Sequence, residues 1–291
     1  MQHASENIIH TGEPSRSALK VAAMRAAHQL LDEPNVLDDP IALPILGPET
    51  EAILRDNPFT LNDPISRVLR AALVLRSKLA EDELSHSVAS GIKQYVVLGA
   101  GLDTFAYRNP YADKGLRVFE VDHPSTQLWK RKALENASIK VPDSMTFVPV
   151  DFERSTLAEG LRQSGFQMDQ PAFFSWLGVT LYLTKEAVFD TLRFVASLPK
   201  GSAIVFDYLM PDSMLNPFER VIREFIREQV VGLGEPWKSN FDPAELQEKV
   251  IDLGFASLKI FRGDELNLRY LARRKDGLQT SPSVRIASAK V

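Results

Sequence analysis

From about residue 92 the sequence repeats one pattern: a short apolar run, then a stretch able to form a helix. "QYVVLGAG", "RVFEVD", "MTFVPVD", "PAFFSWLGV" and "SAIVFDYLM" are each of strand length and nearly continuous in apolar residues. Such runs suit strands covered on both faces rather than a sheet with one wet face. With helical segments between most of them, they predict a parallel sheet built from βαβ units. This alternation restricts the chain to α/β architectures before any residue is given a role.

The flanking segments read differently. Residues 1–16 are polar and broken by Gly12 and Pro14, and are expected to form a flexible arm. Residues 17–91 form an N-terminal helical extension: "SALKVAAMRAAHQLL" has helical apolar spacing with Ser17 as a cap, Pro40 suits the first turn of a short helix, and the last helix stops at Gly91. Residues 92–274 carry the sheet, interrupted at about 210–239 by "FERVIREFIREQV", an amphipathic helical insert placed to act as a cap. "DPAELQEKVIDLGF" is a helix with Asp242 as N-cap, Pro243 at its first position and Gly254 beyond its end. "SLKIFR" and "LNLRYLARR", separated by "GDE", are expected to pair as a terminal antiparallel hairpin, leaving 275–291 as a loose tail.

Composition narrows the function classes. The net charge of −4 supplies no electrostatic footprint for a nucleic-acid backbone. With no cysteine, thiolate catalysis and Cys-based metal sites are excluded, and no metal site is expected. No apolar run of signal-peptide or membrane-spanning length occurs, so the expected location is the cytoplasm, without a membrane partner.

The chemistry concentrates at strand ends. Gly99-Ala100-Gly101 follows the first strand, where absent β-carbons let backbone approach a nucleotide-like ligand. A dinucleotide fingerprint needs a third glycine where Thr104 stands. Asp122 ends the second strand 21 residues beyond Gly101, where a carboxylate can accept from both hydroxyls of a ribose, with Glu120 of the same parity as competitor. Asp151 closes the third strand at the same edge, placed for an adenine amino group. One glycine turn and two acids together favour a nucleoside pocket.

"VVLGAGLDTFAYR", "VFEVDHPSTQLWKRKAL", "VPVDFE" and "WLGVTLYLT", with the upstream "SALKVAAMRAAH", "DDPIA" and "VLRSKLAEDEL", resemble the S-adenosylmethionine-dependent methyltransferases of the leucine carboxyl methyltransferase superfamily, particularly its bacterial O-methyltransferase branch. The resemblance covers most of residues 17–274. It implies a class I methyltransferase fold: a Rossmann-like, mostly parallel seven-stranded sheet whose last strand is antiparallel, with the helical extension and cap insert added. It implies S-adenosyl-L-methionine as cofactor and a small-molecule substrate. By the same resemblance Arg76 pairs with the cofactor's methionine carboxylate, Gly99, Ala100 and Gly101 form the turn beneath it, and Asp122 holds the ribose. Asp151 and Phe152 bracket the adenine. From its place directly after Asp122, His123 is expected to form cofactor wall rather than act as a base, and Asp103, two residues beyond Gly101, to orient the turn or the cofactor's amino group.

Two positions depart from the family pattern. Phe105 stands where many relatives carry Arg, and Leu177 where many carry Glu. Both replace charge with apolar surface on the substrate side. Candidates for the acceptor chemistry are Thr180, Tyr182, Tyr208 and Asp207, all at or just after strand ends, but no spacing gives any of them a partner. The expected activity is O-methylation of a carboxylate or hydroxyl of a small molecule. Methylation of a protein C-terminal carboxylate, a nicotinamide-dependent oxidation and a non-catalytic cofactor-binding protein are the alternatives; Tyr111 and Lys114 stand one residue too close for the Tyr-x-x-x-Lys pair an oxidoreductase would use.

Overall fold

The computed structural model describes residues 16–152, 154–232 and 234–291. Strands β1 (Gln94–Leu98), β2 (Arg117–Asp122), β3 (Met145–Pro149), β4 (Phe173–Trp176) and β5 (Ala203–Tyr208) are mutually parallel where they pair. With β6 (Ser257–Arg262) and β7 (Arg285–Lys290) they form one seven-stranded sheet in the order β3-β2-β1-β4-β5-β7-β6. β7 runs antiparallel to both its neighbours, as the family resemblance implies. The order reverses at β1, which pairs with β2 on one side and β4 on the other, the point where open α/β sheets bind ligands.

Side-chain alternation divides the strands between two cores. Val96, Leu98, Phe119, Val121, Phe174 and Phe206 fill one face, closed by Leu161 of α5 (Leu157–Gln163), Leu192 of α6 (Lys185–Ala196) and Val250 of α8 (Pro243–Asp252). Tyr95, Val97, Val118, Phe173 and Val205 fill the other, against Leu75, Leu79 and Leu84 of α3 (Pro64–Ala89), all three fully buried. Burying each of these leucines contributes about 1.5–3 kcal/mol. Helix α3 starts where it does because the Asp63 carboxylate accepts the Ile65 and Ser66 amides while Pro64 occupies the first helical position.

The helices α1 (Arg16–Leu31) and α2 (Pro48–Asp56) lie before α3, and a buried polar lock ties α1 to it. Arg70 Nη2 and Nε donate to Asp32 Oδ1 and Oδ2 at 2.8 and 2.7 Å. His28 Nε2 accepts the Val36 and Leu37 amides, so its proton sits on Nδ1 and is donated to Asp32 Oδ2 at 2.8 Å. Burial opposes ionisation of Asp32, but the hydrogen bonds from Arg70 and His28 outweigh it and bring its pKa down to about 2.

Four expectations about local structure change. "LNLRYLARR" is not a strand: α9 (Gly263–Tyr270) takes up its first half, because Glu265 Oε2 reaches back to the Arg262 amide at 3.1 Å and caps the helix. The partner of β6 is instead β7, inside the segment expected to be a loose tail. Its centre, Ile286, Ala287, Ser288 and Ala289, is buried although three of the four are small, since neighbours on both sides supply the bulk. Pro40 stands in a turn ahead of a 3-10 segment, Pro44–Leu46, and does not open a helix. Ser17 lies inside α1, which already includes Arg16; the rest of the expected arm lies outside the described residues. The insert at 210–239 does contain a helix, α7 (Pro217–Gly232), and helix α4 (Pro124–Asn136) follows β2.

Candidate functional site: the carboxyl edge of the sheet

The turn after β1 turns backbone donors onto β2. Gly99 and Gly101 have φ of 66° and 45°, in the left-handed region. The Gly99 and Ala100 amides donate to Val121 O, and the Gly101 amide donates to Asp122 Oδ2 at 2.6 Å. Asp122 Oδ1 accepts the His123 amide at 2.7 Å. Each carboxylate oxygen therefore holds one backbone donor, and the Thr126 side chain adds a third hydrogen bond to the group. Burial pushes the Asp122 pKa up from its ordinary value, against the pull of those two amides. A β-carbon at Gly99 would stand 2.4 Å from Val179 Cγ2, so the turn closes against the loop after β4.

Glu120, the competitor of the same parity, faces inward. It is 1% exposed, and its Oε2 accepts from Lys130 Nζ of α4 at 2.6 Å and from the Tyr107 hydroxyl at 3.3 Å. Burial raises its pKa despite Lys130. Asp122 is thus the acid presented at the end of β2. His123 caps α4: its Nδ1 meets the Ser125 amide and hydroxyl at 3.2 and 2.7 Å. Asp103 braces the turn, with Oδ1 on the Phe105 amide at 2.9 Å and Oδ2 on Arg25 Nη1 at 3.1 Å. Burial opposes its ionisation, but Arg25, Lys130, the Phe105 amide and Arg108 together outweigh this and hold it below the usual carboxylate range.

Asp151 and Phe152 follow β3 on the same edge. The Asp151 carbonyl accepts the Arg154 and Ser155 amides, which turns the chain there, and Phe152 is 64% exposed. A large ring left this open at the carboxyl edge of the sheet suits a stacking wall.

The opposite side of the cleft is built around Arg76. Its side chain is only 14% exposed, which rejects the solvated-face reading. Nη1 donates to Asp207 Oδ2 at 2.8 Å, and Asp207 Oδ1 accepts the Gly178 amide at 2.6 Å. Gly178 has φ of 74°, and a β-carbon on it would lie 2.6 Å from Arg76 Nη2. The Thr180 hydroxyl donates to Asp207 O at 2.6 Å. Tyr182 is largely buried beside this group and hydrogen-bonds Ser17 of α1; burial raises its pKa. Asp122 and Asp207 share the α3 face by strand parity, which brings the two halves of the cleft together.

Tyr208 does not join them. One residue beyond Asp207 it points to the other face, where it packs on Phe206 and Phe241 with its hydroxyl buried and without a partner among the described residues. Phe105 is 2% exposed and packs edge-on against Tyr95, with centroids 5.0 Å apart. Leu177 packs against the same core. The sequence reading did not identify Arg25, 5% exposed, which joins Asp39, Asp103 and Thr104 at 2.6, 3.1 and 2.8 Å behind the glycine turn. Its signal is a lone charge within an alanine-rich helical stripe, "AAMRAAH".

Among the described residues no helix is long and apolar enough to cross a membrane. The family model for leucine carboxyl methyltransferase matches residues 18–196. YktD of Bacillus subtilis (strain 168), whose name describes an S-adenosyl-L-methionine-dependent methyltransferase, is 31% identical over 94% of this chain and 96% of its own length. A Mycobacterium sp. (strain JLS) protein with the same description is 31% identical over 66% of each chain. Among solved structures, a Thermobifida fusca YX protein titled a methyltransferase superposes with a TM-score of 0.56 at 17% identity, over 97% of this chain and 96% of that one. A DUF574 family protein from Streptomyces avermitilis gives 0.54 at 14% identity, over 92% and 96%. At these identities the two structures establish the fold, a class I methyltransferase sheet.

Proposed function

Because this chain belongs to the leucine carboxyl methyltransferase family and is an S-adenosyl-L-methionine-dependent methyltransferase, we propose that it methylates a carboxylate oxygen of a small molecule. Membership in that family sets aside the nicotinamide-dependent alternative.

The cleft fits the cofactor. The turn at Gly99–Gly101 presents backbone without side chains, Asp122 offers its carboxylate to the ribose, and Asp151 and Phe152 frame an adenine. Arg76 retains N–H groups beyond the one on Asp207 for a methionine carboxylate. When bound, the cofactor supplies an electrophilic methyl group on a sulfonium.

The observation that carries the choice of a carboxylate is that no sequence candidate is free to act as a base. Both Asp207 oxygens are engaged, by Arg76 and the Gly178 amide. His123 Nδ1 is held at the start of α4. Thr180 donates to a backbone carbonyl, and the Tyr182 phenol is kept neutral by burial. A hydroxyl acceptor needs a group to take its proton; a carboxylate is ionised at neutral pH and needs only alignment and exclusion of water. Helix α7 and the residues after it cover the substrate side as a cap in this reading.

The test is transfer of label from methyl-labelled S-adenosylmethionine to small carboxylic acids and to phenols. Label released as methanol by mild alkali marks a methyl ester and supports the proposal. Label that survives alkali marks an ether and overturns it in favour of a hydroxyl acceptor.

A further inference from the structure

A cavity of about 230 Å³ opens at the carboxyl end of β5, between α7 and residues 237–240. Its walls are joined to the candidate site by hydrogen bonds. The Lys238 amide donates to Leu181 O at 2.7 Å, and the Ser239 hydroxyl donates to Thr180 O at 2.9 Å. The cavity therefore begins where the turn carrying Thr180 and Tyr182 ends.

Its charge is lopsided. Arg223, Arg227 and Lys238 line it with one acid, Asp212. That single carboxylate is shared, Oδ1 with Arg223 at 3.3 Å and Oδ2 with Arg227 at 2.7 Å. Glu224 gives Arg227 a second partner, but from outside the cavity. Arg223 is 8% exposed, and its other acceptor is the neutral Met210 carbonyl. A buried guanidinium that shares one bonded carboxylate and feels a second, Glu219, only weakly is under-compensated, and burial lowers its pKa accordingly. An anion entering the cavity would supply the missing charge. The Trp237 ring forms another wall, with the Arg227 guanidinium 5.9 Å from its centroid, and offers a flat face to an aromatic ring.

We propose that this cavity is a subsite for an anionic oxygen group carried on an aromatic ring, so that the methyl acceptor is an aromatic compound with a second anionic group besides the one methylated. This rests on the methyltransferase reading for its place in the reaction, but the subsite is defined by its own residues. Arg223 and Lys238 face the anion, Arg227 holds the charge beside Trp237, and Trp237 packs on the ring.

The experiment is ligand-observed NMR on the full chain saturated with S-adenosylhomocysteine, using benzoate, phenyl phosphate and neutral benzamide as probes. Benzoate or phenyl phosphate is expected to bind at least about tenfold more tightly than benzamide; whichever of the two is tighter identifies the subsite as one for carboxylate or for phosphate. Lys238→Gln and Arg227→Gln are each expected to weaken the anions about three- to tenfold, with unchanged melting temperature and S-adenosylhomocysteine affinity. Equal binding of benzoate, phenyl phosphate and benzamide, no binding of either anion at about 10 mM, or unchanged anion affinity in both variants overturns the subsite. Failure of the carboxylate proposal reads separately, as alkali-stable label, and leaves these binding results standing.

Discussion

Arg76 Nη1 donates to Asp207 Oδ2 at 2.8 Å across 131 residues of sequence, so one ion pair joins the middle of α3 to the end of β5. The same carboxylate holds the Gly178 amide. Arg76→Ala would leave Asp207 half-satisfied and take away the cation proposed for the cofactor's carboxylate. S-adenosylhomocysteine affinity is expected to fall by about 1.5–3 kcal/mol by calorimetry. Arg76→Lys should restore only part of it, because one ammonium cannot serve Asp207 and a second carboxylate in fork geometry.

Gly178→Ala tests the same corner from the backbone. The new β-carbon would stand 2.6 Å from Arg76 Nη2, at a φ of 74° that disfavours alanine. Stability is expected to drop by about 1–3 kcal/mol, with S-adenosylhomocysteine affinity falling alongside. A folded variant of full affinity would show that the Arg76 position does not matter to the cofactor.

Asp122→Ala removes the acceptor of the Gly101 and His123 amides as well as the proposed ribose acid. Cofactor affinity should weaken by about 1.5–3 kcal/mol, and calorimetry with S-adenosylhomocysteine measures it. Asp122→Asn keeps one carbonyl acceptor and is expected to fall between the two. Equal affinity in all three proteins would reject the assignment.

Acid stability should depend on Asp32. Its folded pKa, about 2, lies below the ordinary aspartate value of 3.8, so the unfolded chain binds the proton more readily. The resulting stabilisation is complete above pH 3.8 and is lost as pH falls through about 2; it amounts to about 2 kcal/mol. Asp32→Asn should flatten this part of the stability curve in denaturant titrations. Arg70→Met leaves a buried carboxylate without its main partner and is expected to cost about 3–5 kcal/mol near neutral pH.

The rate of methyl transfer should be level from about pH 6 to 9, where a carboxylate acceptor is fully ionised. Tyr182→Phe should lower kcat less than about fivefold, since loss of one neutral hydrogen bond costs about 1 kcal/mol. A rate that climbs tenfold per pH unit through that range would show a hydroxyl acceptor losing its proton.

Much of this was legible in the sequence because the strongest signals are local. The five parallel strands are apolar runs whose burial on both faces leaves little else for them to be. The glycine turn and the acids at 122 and 151 lie at strand ends, where periodicity alone locates them. Residues whose roles depend on distant partners were not legible. Arg25 and Asp39 act on Asp103 and Thr104 from another part of the chain, and Asp207 acquires its role only when Arg76 arrives from α3. β7 was hidden because Ala287, Ser288 and Ala289 carry no hydrophobic signature, while the leucines of α9 mimic the alternation of a strand.

β7 also has a consequence for how the molecule is made. It lies between β5 and β6 although it is synthesised after both. When β6 leaves the ribosome there is no neighbour for its backbone to bond, and the open side of β5 is equally bare. Strand β6 must wait, with its own edge and that of β5 unpaired, for residues 285–290 to arrive and slot between them. The order of translation and the order of assembly therefore run in opposite directions at this end of the protein, and a nascent chain halted before residue 285 would leave β6 without a partner strand.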